Sequence, residues 1–154
     1  MEQENVGLYL GMDISEKYTM ISIYQQHMKE PQTISTIMGS ESYQIPTALA
    51  KKKGVGQWFF GREAKVRVKS GEALGVEDLL DKARTGEEVF LEHEKYAASD
   101  LLAIFLKRVL SLAGSAQAMM PLAKLVICLD KVSVEYMELF SAIMVKLGIE
   151  TDKL

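Results

Sequence analysis

Two runs of β-branched and aromatic residues, joined by a short polar turn, constrain the fold more than any other feature of the chain. They occupy residues 6–24, VGLYLGMDISEKYTMISIY. A period of two along the second run places Thr19, Ile21 and Ile23 on one face of a strand. We therefore expect a first strand over residues 7–12 and an antiparallel second strand over residues 18–24, in a sheet covered on both faces. Asp13 then ends the first strand, where a carboxylate and the backbone N–H groups of a turn can hold a phosphate and its magnesium.

Residues 11–19, GMDISEKYT, resemble the first phosphate loop of the actin-like ATPase superfamily, which includes actins, sugar kinases and DnaK-type heat-shock chaperones. The chaperone loop also runs from a glycine and an aspartate through small or hydroxyl residues to a tyrosine. The resemblance implies ATP and Mg²⁺ as cofactors, with Asp13 holding Mg²⁺ through water because this ion keeps much of its hydration. It also implies that the turn formed by Ser15, Glu16, Lys17 and Tyr18 contacts the phosphates.

Further segments resemble the same chaperones, in the same order along the chain. They are residues 45–50 (IPTALA), 61–65 (GREAK), 96–102 (YAASDLL), 126–130 (VICLD) and 146–150 (KLGIE). Together they imply an α/β, ribonuclease H-like half-domain of the actin-like ATPase kind. Its mixed five-stranded sheet has an N-terminal antiparallel meander followed by parallel strands, with flanking helices and a small inserted subdomain within residues 40–96. Lys82 stands near the place of the chaperone lysine that approaches the γ-phosphate, although a solvated lysine at a helix end is an equally simple interpretation.

Hydrophobic spacing and turn residues predict the elements of the first hundred residues. A third strand is expected over residues 33–38, and Pro46 makes the next segment an edge or irregular one because proline cannot donate to a ladder. A short aromatic strand over residues 57–60 precedes a helix that opens at Gly61. A loop over residues 70–75, a helix over residues 76–84 and an outer strand over residues 87–96 complete this part.

The last third of the chain predicts two helices around one strand. Ser99 or Asp100 is expected to cap a core helix that ends near Gly114. The apolar run of residues 122–129 is typical of a strand buried on both faces, as in a parallel sheet. A second helix should begin at Ser133 and end at Gly148, and the residues that follow are expected to open another strand.

Composition limits the classes of function. The chain has 154 residues, of which 48% are hydrophobic and 25% charged, enough for one globular domain or half of a larger one. The net charge of −3 gives no overall attraction to nucleic acid. Cys128 is the only cysteine, and no apolar run reaches the roughly 18 residues of a spanning helix. We therefore expect a cytoplasmic protein with neither a membrane nor a nucleic acid as its partner.

The stretch from residue 51 to residue 69 is the most basic part of the chain and includes three consecutive aromatic residues at positions 58–60. A nucleic-acid-binding module would use such rings for stacking and such cations for phosphates. A solvated turn and helix face around a hydrophobic strand fits the acidic remainder of the chain better. Histidine gives no metal site either, because Glu92 and Glu94 point away from His93 on a strand and His27 has no neighbouring ligand.

Two functional hypotheses follow from the resemblance. In the first, the chain is the N-terminal lobe of a DnaK-like or actin-like nucleotide-binding protein, truncated at its C-terminal end, that binds MgATP only together with a second lobe. ATP hydrolysis would then belong to the full-length protein, with a nucleotide and a protein client as partners. In the second, the chain is a catalytically degenerate scaffold for protein contacts or filament assembly. Glu16 favours the second, because a carboxylate in the loop repels a phosphate.

Overall fold

The computed structural model describes residues 7–25, 28–36, 41–114 and 122–154. Within these ranges the protein is a mixed α/β fold with a mixed sheet and four α-helices. The strands are β1 Leu8–Ile14, β2 Tyr18–Tyr24, β3 Gln32–Thr33, β4 Ile45–Pro46, β5 Leu49–Lys52, β6 Trp58–Phe60, β7 Ala73–Val76, β8 Glu88–Leu91, β9 Glu94–Ala97 and β10 Leu122–Leu129. The helices are α1 Gly61–Lys69, α2 Leu79–Arg84, α3 Ala98–Ser111 and α4 Val134–Lys146.

The main sheet has five strands and is organised around β1. Its order is β10-β1-β2-β3, and β4 also pairs with β2. β1 is antiparallel to β2 and parallel to β10, so the predicted N-terminal hairpin is confirmed and shares a sheet with the apolar run near the C-terminal end. The third strand is shorter than expected, because β3 covers only Gln32–Thr33. Part of the predicted strand, residues 37–38, and His27 lie outside the described residues.

One face of the main sheet is buried and the other is largely open. The buried face of β1 presents Leu8, Leu10, Met12 and Ile14, each at most 2% exposed. On the opposite face Asp13 is exposed, Tyr9 is half-buried, and Val126 of β10 is 51% exposed. The expectation of a sheet covered on both faces, and of residues 122–129 buried on both faces, is therefore wrong. The polar residues that alternate with the apolar ones along these strands mark the open face.

Helix α3 forms the centre of the core against the buried face of the sheet. Its side chains Leu101, Leu102, Phe105, Leu106 and Val109 are all fully buried. The helix begins at Ala98, and its N-cap residue Ala97 makes no side-chain cap hydrogen bond. The predicted cap at Ser99 or Asp100 is therefore wrong, because burial of the apolar face sets the start of the helix one turn earlier than the local sequence signal does.

A second, three-stranded sheet with the order β6-β5-β7 carries α1 on one face, and β8 and β9 form a separate hairpin. The expected loop over residues 70–75 is in part a strand, since β7 pairs with β5 from Ala73 to Val76. The expected single strand over residues 87–96 is a hairpin. Its turn contains Glu92 at φ 58°, a conformation that the alternating pattern of side chains does not reveal.

The C-terminal part follows the sequence prediction up to the end of its helix. The Ser133 hydroxyl accepts a hydrogen bond from the backbone N–H of Tyr136 and caps α4. Gly148, with φ 75°, follows the helix in the left-handed conformation that glycine adopts without strain. Ile149 does not open a strand, because the chain forms a short 3₁₀ helix over Thr151–Lys153 that lies against β10 and α4. No helix in the described ranges is both long enough and apolar enough to cross a bilayer.

Candidate functional site

A cavity of about 390 Å³ lies where the parallel strands β1 and β10 both end at their carboxyl termini. In α/β sheets ligands usually bind outside this edge of the strands. The turn after β1, the helix α2, the segment after β10 and the first turn of α4 form its walls. The lining residues are Ile14, Ser15, Glu16, Leu80, Asp81, Arg84, Leu129, Asp130, Lys131, Ser133, Glu135 and Tyr136. We call this cavity the strand-end pocket.

Glu16 closes the α2 side of the strand-end pocket. Its Oε1 accepts a hydrogen bond of 2.7 Å from the backbone N–H of Leu80, and its Oε2 accepts one of 3.3 Å from that of Asp81. These are N–H groups of the first turn of α2, which have no partner within the helix. The carboxylate therefore acts as a helix cap supplied by a residue 64 positions away in sequence.

The charges around the strand-end pocket are mainly negative. Its walls hold the carboxyl groups of Glu16, Asp81, Asp130 and Glu135 against the cations of Arg84 and Lys131. Both ends of Arg84's environment are occupied, because it pairs with Asp81 and lies 5.8 Å from the ring centroid of Tyr136. No group of three or more metal-ligating side chains occurs anywhere in the described part of the chain.

Two of these groups have shifted pKa values. The hydrogen bond to Asp81 raises the pKa of Arg84 above its ordinary value, so this guanidinium stays charged. A hydrogen bond from its own backbone N–H, followed by one from Ser133, lowers the pKa of Glu135. Both shifts keep the groups ionised at neutral pH. The pocket is thus an acidic, permanently charged surface.

Asp13 lies outside the strand-end pocket. It is the sixth residue of β1, its neighbours across the strands are Met20 and Cys128, and its side chain points to the open face of the sheet. The position fits the expectation that Asp13 is exposed at a sheet edge near the end of β1. It separates Asp13 from Ser15 and Glu16, which face the strand-end pocket.

The remaining predicted phosphate contacts are scattered. The exposed Lys17 has its ammonium 5.6 Å from the ring centroid of Tyr18. Tyr18 lines a different cavity, and Ser15 hydrogen-bonds back to the carbonyl of Tyr18 within the turn. Lys82 lies on α2 and is not among the residues that line the strand-end pocket. The structure therefore brings together only Ser15 and Glu16 of the six predicted site residues.

A second cavity, of about 630 Å³, lies beside the first turn of α1 and was not predicted from the sequence. Tyr18, Met20, Tyr43 and Pro46 supply its apolar lining, Arg62 and Lys65 its cations, and Glu41, Ser42 and Gln44 the rest. We call it the basic groove. Neither Arg62 nor Lys65 pairs with an acidic group in the described ranges, and both are exposed. The one sequence signal was their three-residue spacing, which places both on the same helix face.

The aromatic residues of the basic stretch are packed inside the protein. Trp58 makes an edge contact with Tyr96 at 5.3 Å between ring centroids, and Phe59 lies under the guanidinium of Arg67 at 5.0 Å. Lys51 is only 6% exposed and pairs with Glu92 at 3.6 Å. These rings are not arranged as an exposed stacking surface for bases.

The fold and these sites define a mixed α/β protein with an acidic pocket at the ends of its parallel strands and a basic groove beside α1. Residues 30–154 match the sequence model of a family described as "Family of unknown function (DUF5716) C-terminal". The chain belongs to this family. A comparison with curated proteins gives no match.

Proposed function

We propose that this chain is a catalytically degenerate scaffold, built as an actin-like, ribonuclease H-like half-domain, that makes protein contacts and does not bind nucleotide. The position of Glu16 carries the proposal. In the resembling ATPases small or hydroxyl residues let the loop backbone approach a phosphate. Here the Glu16 carboxylate occupies backbone N–H groups of Leu80 and Asp81 instead, as an internal anion.

The charge of the strand-end pocket supports the same conclusion. Four carboxyl groups and two cations line it, and Arg84 already pairs with Asp81. At an effective dielectric constant near 20, two like charges about 4 Å apart repel by roughly 4 kcal/mol. A polyphosphate placed beside Glu16 and Asp81 would meet this repulsion with one unpaired cation, Lys131, to offset it. The pocket therefore disfavours the ligand that the resemblance implies.

Thermal unfolding of the chain with and without MgATP tests the proposal. A ligand present at 100 times its Kd stabilises a protein by about 2.7 kcal/mol, which raises the Tm of a chain this size by roughly 5–10 °C. We expect no change in Tm beyond that caused by MgCl₂ alone. A rise of several degrees with MgATP contradicts the scaffold proposal.

MgATP binding is the second candidate function, and the exposure of Asp13 favours it. The side chain lies near the carboxyl end of β1, beside the parallel strand β10, where a hydrated Mg²⁺ could reach it. If MgATP raises the Tm of the wild type and Asp13→Asn removes that rise, the chain is a nucleotide-binding lobe. If MgATP stabilises only a Glu16→Thr variant, the carboxylate is the block and the scaffold proposal holds for the natural chain.

A further inference from the structure

Two complementary surfaces lie at opposite ends of β5. At its start, the N–H of Gly61 donates to the carbonyl of Ala48, which places α1 and the basic groove at this end. Beyond its other end, the N–H of Gly54 donates to Glu92 in the turn of the β8–β9 hairpin. The four residues of β5 alone span roughly 13 Å. The groove and the hairpin of one molecule therefore face different sides of it.

The β8–β9 hairpin presents an exposed aromatic ring among charges. Phe90 is 71% exposed, although most large apolar side chains of the fold are in the core. The ammonium of Lys95 lies 6.0 Å from its ring centroid and also pairs with Glu88 at 2.6 Å. Glu87, at the base of the hairpin, is exposed too. The outward face thus carries one ring, two carboxylates and one cation, and we call it the Phe90 face.

The basic groove has the opposite charge pattern around an apolar lining. Arg62 and Lys65 provide two cations and Glu41 one carboxylate. The rings of Tyr18 and Tyr43 border the same cavity, whose volume of about 630 Å³ is ample for one phenyl ring. Aromatic side chains that fill such pockets commonly supply most of the energy of an interface. Ring and charges both match the Phe90 face.

We propose that the Phe90 face of one molecule docks into the basic groove of a second copy, so that copies of this chain associate head to tail. The inference names a partner for the protein contacts proposed above and rests on that proposal. A molecule cannot satisfy its own groove, because the two surfaces lie at opposite ends of β5. A contact between two different surfaces leaves one groove and one Phe90 face free in every dimer, so growth continues unless the rotation between copies closes a ring.

Size-exclusion chromatography with light scattering, over a series of protein concentrations, tests this interface. The mean mass of the wild type should rise with concentration and fall as salt is added, because the paired charges are exposed and are screened. Phe90→Ala and the double variant Arg62→Glu/Lys65→Glu should each remain monomeric. Val132→Ala serves as the matched control, because Val132 is also 71% exposed but lies on neither surface, and it should associate like the wild type.

Mixing the two monomeric variants provides the decisive measurement. The Phe90→Ala variant keeps an intact groove, and the Arg62→Glu/Lys65→Glu variant keeps an intact Phe90 face. Their mixture should give a 1:1 dimer and nothing larger, since no second productive pair of surfaces remains. A monomeric wild type, a mixture that stays monomeric, or association of either variant alone overturns the proposal. Far-UV circular dichroism verifies that each variant is folded. The outcome is independent of the MgATP titration, so either proposal can fail without the other.

Discussion

At the scale of single residues, Glu16 shows how a side chain can be structural where its sequence neighbours indicate a ligand site. Its position in a loop that resembles a phosphate loop favours a contact with nucleotide, and its charge opposes one. The structure gives the carboxylate two backbone N–H partners, in Leu80 and Asp81. A charged acceptor at the N-terminal end of a helix is favourable for the same reason that a phosphate would be there.

Removing this cap should destabilise the protein. Glu16→Ala leaves the N–H groups of Leu80 and Asp81 without their acceptor, and losses of helix caps typically cost about 1 kcal/mol. Urea unfolding followed by far-UV circular dichroism measures the difference. Glu138→Ala is the control, because Glu138 is an exposed glutamate on α4 for which no change above about 0.5 kcal/mol is expected. Equal stabilities of the two variants would mean that the Glu16 cap contributes nothing.

The pair formed by Lys51 and Glu92 is the other residue-scale feature of note, since Lys51 is only 6% exposed. Glu92 accepts a 2.7 Å hydrogen bond from the N–H of Gly54 and pairs with Lys51 at 3.6 Å. This contact joins the three-stranded sheet to the β8–β9 hairpin. Removing only the carboxylate would leave a buried ammonium without its partner, which is the costly way to break such a pair.

We therefore expect Glu92→Gln to lower the Tm clearly in the wild type and much less in a Lys51→Met background, where no ammonium is left unpaired. Thermal unfolding of the four proteins of this double-mutant cycle measures the coupling. Equal decreases in both backgrounds would show that the two side chains do not interact.

The same contact predicts how stability depends on pH. The hydrogen bond from Gly54, and then the charge of Lys51, lower the pKa of Glu92 from its usual 4.5. A carboxyl group with a lower pKa in the folded state stabilises it above the unfolded-state pKa, and this contribution disappears as pH falls through the folded-state value. The Tm difference between the wild type and Glu92→Gln should therefore be full at pH 7 and shrink below about pH 4.5. A difference that is constant down to pH 3 would contradict this assignment.

At the scale of elements, two serines that both look like helix caps in the sequence differ in the structure. Ser133 caps α4 by accepting the N–H of Tyr136, whereas Ser99 lies inside α3. Ser133→Ala should cost about 1 kcal/mol, and Ser99→Ala should be neutral or slightly stabilising because alanine is the better helix former. Urea titrations of both variants make the comparison. A larger loss for Ser99→Ala than for Ser133→Ala would place the α3 cap where the sequence put it.

Elements with a local signal were predicted well from the sequence. Alternation identified β2 over Tyr18–Tyr24, and the pairing of a serine cap with a terminal glycine identified α4. Elements that depend on distant partners were missed. The strand β7 has no alternating pattern and exists because β5 offers a ladder, and Ile149 opens no strand.

The same difference explains the sites. Sequence reasoning placed Asp13 correctly at an exposed position on the first strand, because strand period and turn residues determine it. It could not assign Glu16 to α2, which lies 64 residues further along the chain. The basic groove likewise joins Tyr18 to Arg62 through packing of separate elements, which leaves no mark in either segment.

At the scale of the whole molecule, one continuous core connects the main sheet, the helices and the second sheet. The buried cluster contains residues of β1, β5, α2, α3, β10 and α4 together, and Trp58 packs against it. Phe105 of α3 is fully buried, and its ring lies 6.4 Å from that of Phe60 in β6. The α1 side of the second sheet has a small cluster of its own, formed by Ala50, Phe59, Ala64 and Ala73.

A shared core of this kind should unfold as one unit. Trp58 is the only tryptophan and reports on the second sheet, while far-UV circular dichroism is dominated by the helices. Because the second sheet buries its inner face in the same cluster as α3, its separate unfolding would expose that cluster, so the two signals should change together during a urea titration. Phe105→Ala, which removes a ring from the junction, should lower the stability by roughly 3–5 kcal/mol and move both transitions equally. Fluorescence and circular dichroism curves with different midpoints, in the wild type or the variant, would mean that the second sheet is an independent unit resting on the main sheet.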